Sequence, residues 1–277
     1  MVRIDCHVHG DPADCKGRAK AYVDSVRERG IEAVVLIEGV ERCMKAVDKF
    51  GDFVIPVARI PMNASGPKDI ERAIEAGCVG IKFIRPAAPY GDERYWPLYE
   101  KLEEMDRPAV FHTGYLGFGK REDRPVKMED MRAAQVEVVS RRFPDLRILM
   151  SHFSNPWWEE AWKVAWTKTN VYADLSGGTA IRRSTAFWAD LFAPDGELFE
   201  QSIRKLCFGS DVGYFRKGHF PFEEYITFHD RIFDRIGLSD ELRELVNHGT
   251  IRQLLGLDRP GKKNRKKAKK SSRKRKT

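Results

Sequence analysis

The sequence predicts an α/β protein, a (β/α)8 TIM barrel with extra C-terminal helices and a disordered basic tail. Three observations carry this. Eight short apolar runs alternate with longer stretches of helical periodicity, the order that builds parallel βαβ units. They fill about 255 residues, the size of such a barrel. No Gly-x-Gly-x-x-Gly follows the first run, which counts against the rival, an open doubly wound sheet that binds dinucleotides.

The first run is Val2–Val8, followed by a helix over Gly17–Arg29 that stops at Gly30. The second run is Glu32–Ile37. The third is Phe53–Ile60, where Pro56 lacks the N–H that a ladder needs. A helix over Lys68–Ala76 ends at Gly77 and leads to the fourth run, Val79–Ile84. Helix Glu93–Asp106 precedes the fifth, Pro108–His112. A glycine-rich loop, Gly114–Gly119, and a helix over Met128–Phe143 lead to the sixth, Arg147–His152. A Trp-rich helix near Pro156–Lys168 precedes the seventh, Val171–Leu175. Helical or irregular sequence separates it from the eighth, Leu206–Asp211, and two or three helices close the body by Leu257.

Composition bounds the rest. A chain of 277 residues with 42% hydrophobic content holds an ample core. The five cysteines are dispersed, without a Cys-x-x-Cys pair. They read as reduced thiols of a cytoplasmic protein. No signal-peptide pattern and no membrane-spanning apolar run is present. The net charge of +8 misleads, because 12 of the 49 Lys/Arg lie from Arg259 onward with no acid among them. The preceding residues carry 37 basic and 41 acidic side chains, a net of −4. Two parts follow: a body over 1–257 and a Lys/Arg-rich tail over 258–277.

In a barrel the active site lies at the C-terminal ends of the strands, and the metal-capable residues fall there. His7 and His9 end the first run, two residues apart and therefore on one face of a strand. His112 ends the fifth run, His152 the sixth and Asp211 the eighth, while Lys82 lies near the end of the fourth. One such histidine could be a hydrogen-bonded structural residue, and a strand-end Asp could cap the next helix. The joint pattern is harder to dismiss. The other three histidines, His219, His229 and His248, fall in loop or helical sequence and read as structural.

Ile4-Asp5-Cys6-His7-Val8-His9, Gly80-Ile81-Lys82-Phe83, Val110-Phe111-His112-Thr113-Gly114, Leu149-Met150-Ser151-His152 and Phe208-Gly209-Ser210-Asp211 resemble the amidohydrolase superfamily. Their wording is that of its amidohydrolase-2 branch of hydrolases, lactonases and decarboxylases. The resemblance covers residues 2–257. The closing stretch Asn247–Leu257 also resembles the branch, although His248 and Thr250 depart from its usual Gly-Asn-Ala. Related metal-dependent deoxyribonucleases carry a Glu at strand four and Glu-Thr-Asp at strand eight, where this chain has Lys82 and Ser210-Asp211.

The resemblance implies a divalent metal, Zn2+ for preference, on His7, His9 and Asp211 with His112 as a further ligand. His152 is either a second-metal ligand or a base near the substrate. Asp211 and His152 are the catalytic candidates for hydrolysis of a small-molecule C–O or C–N bond. Decarboxylation of an aromatic or unsaturated acid on the same site is the alternative. Lys82 could be carboxylated and bridge a second ion, bind a substrate carboxylate or form an ion pair, and one ion is the default. Arg59 and Arg85 could clamp a substrate carboxylate or pair with nearby acids. Tyr115 lies on a loop that could cover the site. Trp157, Trp158, Trp162 and Trp166 have helical spacing and read mostly as core. A homo-oligomer is compatible with all this.

The tail has no apolar residue larger than alanine from Gly261 onward. It is expected to be disordered when free and to attract nucleic acid or other polyanions without sequence preference, or only to solubilise the chain. A third reading, a catalytically silent barrel tethered to nucleic acid by this tail, predicts a metal-free protein.

Overall fold

The structure, a computed structural model, describes residues 1–117, 126–216 and 218–258. It is a TIM barrel. Eight strands and their helices alternate as β1 (Arg3–His9), α1 (Ala19–Arg27), β2 (Ile31–Glu38), α2 (Val40–Phe50), β3 (Val54–Arg59), α3 (Pro67–Glu75), β4 (Gly80–Phe83) and α4 (Trp96–Glu104). The second half holds β5 (Ala109–His112), α5 (Ala133–Arg142), β6 (Ile148–Ser151), α6 (Trp158–Thr167), β7 (Val171–Asp174), α7 (Thr185–Phe192), α8 (Glu200–Ile203) and β8 (Leu206–Cys207). A short β9 (Val212–Gly213), α9 (Phe222–Arg235), α10 (Asp240–Glu244) and α11 (Thr250–Leu255) follow. All pairings are parallel, in the order β8-β7-β6-β5-β4-β3-β2-β1-β9.

The eighth predicted run is split. β8 pairs with β7 through Ala173–Leu206, whereas β9 pairs with β1 through Val8–Val212. Between them Cys6 N donates to Phe208 O at 2.9 Å and Asp211 N to His7 O at 2.7 Å. One continuous stretch therefore joins the two ends of the sheet and closes the barrel. The break falls at Asp211, whose φ is +63°. The first run is also irregular, because pairing with β2 shifts between Asp5 and Val8. Such a bulge interrupts strict alternation: Cys6 packs in the inner core while the adjacent His7 turns to the site.

Sequence alternation explains the layers. On β2, Ala33, Val35 and Ile37 join the inner core, while Val34 and Leu36 pack outward on Tyr22, Val23 and Val26 of α1. Pro56 lies inside β3 after all, opposite Leu36, and its carbonyl accepts from Val79 N at 2.8 Å. The sequence reading places no helix between the second and third runs, yet α2 forms there from a Gly39 N-cap to Gly51, burying Cys43, Ala46 and Phe50. The helix expected over Met128–Phe143 is a 3-10 turn at Met128–Met131 followed by α5.

α11 stops the barrel's lower end. Ile251, Leu254 and Leu255 join Val35, Val110 and Leu149 in the inner core. Arg147, just before β6, donates to Gln253 O and Leu254 O and to Asp106. The opposite end, where the strands finish, is left to polar residues. Among the described residues no helix is long and apolar enough to cross a membrane. The tail from residue 259, and Phe118 and Gly119 of the predicted glycine-rich loop, lie outside the described residues.

Candidate active site

Two strand ends, that of β1 and the stretch after β8, bring His7, His9 and Asp211 together. Asp211 Oδ1 lies 3.2 Å from His9 Nε2 and 3.5 Å from His7 Nε2. Two donors each ~2.1 Å from one tetrahedral cation lie ~3.4 Å apart, so these separations fit a common ion. His9 Nδ1 donates to Ile37 O at 2.9 Å. That keeps an N–H on Nδ1 and makes Nε2 the nitrogen that faces Asp211 and would serve as the ligand atom. The fit therefore rests on geometry and on the chemistry of the donors: two imidazoles and a carboxylate.

The electrostatics agree. Burial pushes His7 down to about 3, and Lys82 adds to the effect. Burial also opposes charge on His9, but the Asp211 and Glu38 carboxylates outweigh it and raise that ring to about 9. Burial raises the Asp211 carboxyl, yet the facing His152, His7 and His9 reverse this and hold it well below the usual carboxylate range. Positive charge is thus favoured at His9 beside the ionised Asp211 and disfavoured on the buried His7 ring.

His152 lies next to this group. Its ring is 4.8 Å from that of His7 and 4.6 Å from that of His112. It begins three consecutive residues, His152, Phe153 and Ser154, with φ between +47° and +65°. Left-handed backbone costs of order 1–2 kcal/mol per residue, and hydrogen bonds hold it. Ser154 N donates to Thr113 Oγ1 at 2.9 Å, and Ser154 Oγ accepts from Ala133 N at 2.9 Å. Gly114 makes room for the turn, since a Cβ there would lie 2.1 Å from Asn155 O.

The remaining predicted residues are spread more widely. His112 is buried, but its Nε2 faces the Tyr115 carbonyl at 3.2 Å, and it joins neither ligand-distance group found among the described residues. Lys82 points inward from β4 and donates to Ser151 Oγ at 2.7 Å. Burial pushes it down to about 8, against the charges of Asp174 and Asp211. Arg59 and Arg85 line a cavity of about 400 Å³ with Ile60, Met62, Asn63 and Ile84. Arg59 also faces Glu38 Oε2 at 3.6 Å. Tyr115 is 55% exposed and stacks on Trp157 at 5.7 Å. Of the four tryptophans, Trp158 is buried, while Trp162 stacks on Trp166 at 5.5 Å.

Four residues that the sequence reading did not single out matter here. Asp174 ends β7, and its Oδ2 lies 3.4 Å from His7 Nδ1. Ser176 follows it. Glu38 ends β2, accepts from Gly10 N at 3.3 Å and faces His9 Nδ1 at 3.7 Å. Asp5 accepts from Ser210 N at 3.0 Å, Ser210 Oγ at 2.5 Å and Tyr214 OH at 3.0 Å, clamping the segment that carries Asp211. Asp5, Glu38 and Asp174 each lie in strands, and the latter two close them, as the predicted ligands do. That position was the available signal.

The sequence pattern of the amidohydrolase family matches residues 4–257. The chain belongs to that family, in its amidohydrolase-2 branch. No curated protein matches. Among solved structures, the chain is similar to an uncharacterized TIM-barrel protein from Bordetella bronchiseptica, with TM-score 0.68 and 18% identity over 92% of this chain and 99% of that one. It is similar to a probable 2-pyrone-4,6-dicarboxylic acid hydrolase from Acinetobacter baumannii with citric acid bound, with TM-score 0.59 and 14% identity over 92% and 100%. A third is 5-carboxyvanillate decarboxylase from Sphingomonas paucimobilis, with TM-score 0.60 and 11% identity over 92% and 99%. At these identities the likeness concerns the fold.

Proposed function

We propose that this protein is a metal-dependent hydrolase that cleaves a C–O or C–N bond in a small, carboxylate-bearing molecule. The observation that carries the reading is the convergence of His7 Nε2, His9 Nε2 and Asp211 Oδ1 at ligand spacing. These three would hold a divalent cation, Zn2+ for preference. Its charge, when bound, polarises a substrate oxygen and makes water a nucleophile near neutral pH.

The chain's own groups do the rest. Asp211 Oδ2, the carboxylate oxygen turned towards His152, takes the proton of the attacking water and delivers it to the leaving group. His152, whose Nδ1 faces Ser176, presents Nε2 as a base that accepts a proton or a hydrogen bond from the substrate. Arg59 and Arg85 receive the substrate carboxylate in the cavity between the β3 and β4 loops, whose apolar walls suit a planar or unsaturated body. Tyr115, with Trp157 beneath it, forms the rim. His112 is a further ligand candidate, through the Nδ1 that its contact with Tyr115 O leaves unprotonated. One ion is the default, because the Lys82 amine already has a partner in Ser151.

Two structural neighbours named for dicarboxylic acid hydrolysis and for decarboxylation set the comparison to be made. Elemental analysis of purified protein is expected to find stoichiometric divalent metal, lost in His7→Ala and in Asp211→Ala. Absence of metal from the wild type would sink the proposal, and metal retained in both variants would show the ligands to be wrong. Carboxylate-bearing lactones and cyclic amides are expected to take up solvent 18O on turnover. Release of CO2 from aromatic acids without 18O uptake would assign a lyase instead.

A further inference from the structure

Asp174 and Ser176 perform no chemical step in the mechanism above, yet both are enclosed beside it, 0% and 1% exposed. Their hydrogen bonds can be counted. Asp174 Oδ1 accepts from His152 N at 2.9 Å, Ser176 N at 3.0 Å and Ser176 Oγ at 2.5 Å. A serine hydroxyl has one proton and two lone pairs. With the proton directed at Asp174, Ser176 Oγ can only accept from its other two neighbours. Those are His7 Nδ1 at 3.2 Å and His152 Nδ1 at 3.1 Å.

Independent contacts give the same assignment. His152 Nδ1 also faces the Ser176 carbonyl at 3.3 Å, which accepts and never donates. His7 Nδ1 faces Asp174 Oδ2 at 3.4 Å. A neutral imidazole carries one N–H, so in both rings Nε2 is the lone-pair nitrogen. Gly177 lets the loop come this close: its φ is +93°, and a Cβ there would lie 3.0 Å from His152 Nδ1.

We propose that Ser176, anchored by Asp174, is a positioning residue that fixes the Nδ1–H tautomer of His7 and His152 together. This selects between the two groups at ligand spacing, His7–His9–Asp211 and His7–His152–Asp174. The second meets His7 on its protonated nitrogen, so a cation goes to the first. The same assignment leaves His152 Nε2 as a lone pair that can take a proton or a hydrogen bond from substrate. The consequence for the cation rests on the proposed metal-dependent function; the tautomer assignment does not.

The test uses the metal-free full-length chain with 15N-labelled histidine, read by long-range 1H–15N correlation at a pH above the histidine range. His7→Gln and His152→Gln assign the two rings. Both rings are expected to be protonated on Nδ1 in the wild type, to move towards a mixture with Nε2–H in Ser176→Ala, and to keep the wild-type pattern in Ser176→Thr. Asp174→Asn brings an amide donor to His7 Nδ1 and is expected to turn that ring to Nε2–H; it serves where Ser176→Ala does not fold. Titration with Zn2+ alone is expected to show about 10–100-fold weaker binding in Ser176→Ala, restored in Ser176→Thr. Nε2–H on either ring in the wild type, or unchanged tautomers in Ser176→Ala, would overturn the proposal. Nδ1–H rings in a wild type that binds no Zn2+ would support the tautomer assignment and defeat the metal reading.

Discussion

Buried among the rings of Phe208, Phe228 and Phe233, His229 donates from Nδ1 to the Tyr225 carbonyl at 2.8 Å. Its Nε2 has no partner among the described residues. Burial pushes this ring from 6.5 to about 4. The unfolded chain therefore binds the proton more readily. Stability is whole above pH 6.5 and falls as the pH drops from there towards 4. The loss between pH 7 and 5 amounts to about 2 kcal/mol. Urea unfolding at those two pH values is expected to show a loss in the wild type that is smaller by about that amount in His229→Leu, the remainder coming from other buried histidines such as His7. Equal losses would mean that His229 does not govern the acid limb. His7, His9 and Asp211 were legible as ligand candidates because each ends an apolar run in a recognisable phrase. Asp174 and Glu38 end runs too, but a strand-end carboxylate alone also suits a helix cap. What marks them is a partner 167 residues away in one case, His7 for Asp174, and 29 in the other, His9 for Glu38. No local pattern carries that information.

Elements show the same division. The strands were legible from apolar runs, and the α11 region from its resemblance to a closing helix. That α11 plugs the barrel was not, because its role depends on Leu254 meeting Val35, Val110 and Leu149 from three strands. Leu254→Ala is expected to cost about 2–5 kcal/mol, measured as a lower urea midpoint, with Zn2+ affinity of the folded protein unchanged. A change below 1 kcal/mol would mean that the plug repacks. α5 begins at Ala133 rather than Met128 because its first N–H groups find distant acceptors. Ala133 N donates to Ser154 Oγ, and Ala134 N to Glu160 Oε1, each at 2.9 Å. Local periodicity could not set that boundary. α2 was legible in principle: Cys43, Ala46, Val47 and Phe50 recur at helical spacing, with charged residues between them.

For the whole molecule, closure is the decisive event. The stretch 206–213 meets β7 with its first residues and β1 with its last, and Asp5 fastens it through Ser210 and Tyr214. Only then does Asp211 reach His7 and His9. The charge division is a second molecular feature. The tail residues 259–277, which are basic without acids, are proposed to bind polyanions through counterion release. Deleting them is expected to abolish binding to DNA or RNA at low salt and to leave turnover unchanged. Binding that survives deletion would place the contact on the body, and lost turnover would tie the tail to the catalytic unit.

Sequence alone determined the βα alternation, the family and the strand ends at which metal-capable side chains stand, because periodicity and short phrases are local properties. The tertiary structure decided what those side chains meet. It broke the eighth strand at Asp211, bulged the first at His7 and brought Asp174 and Ser176 behind two histidines. These depend on distances between residues far apart in the chain, which exist only once the barrel has closed.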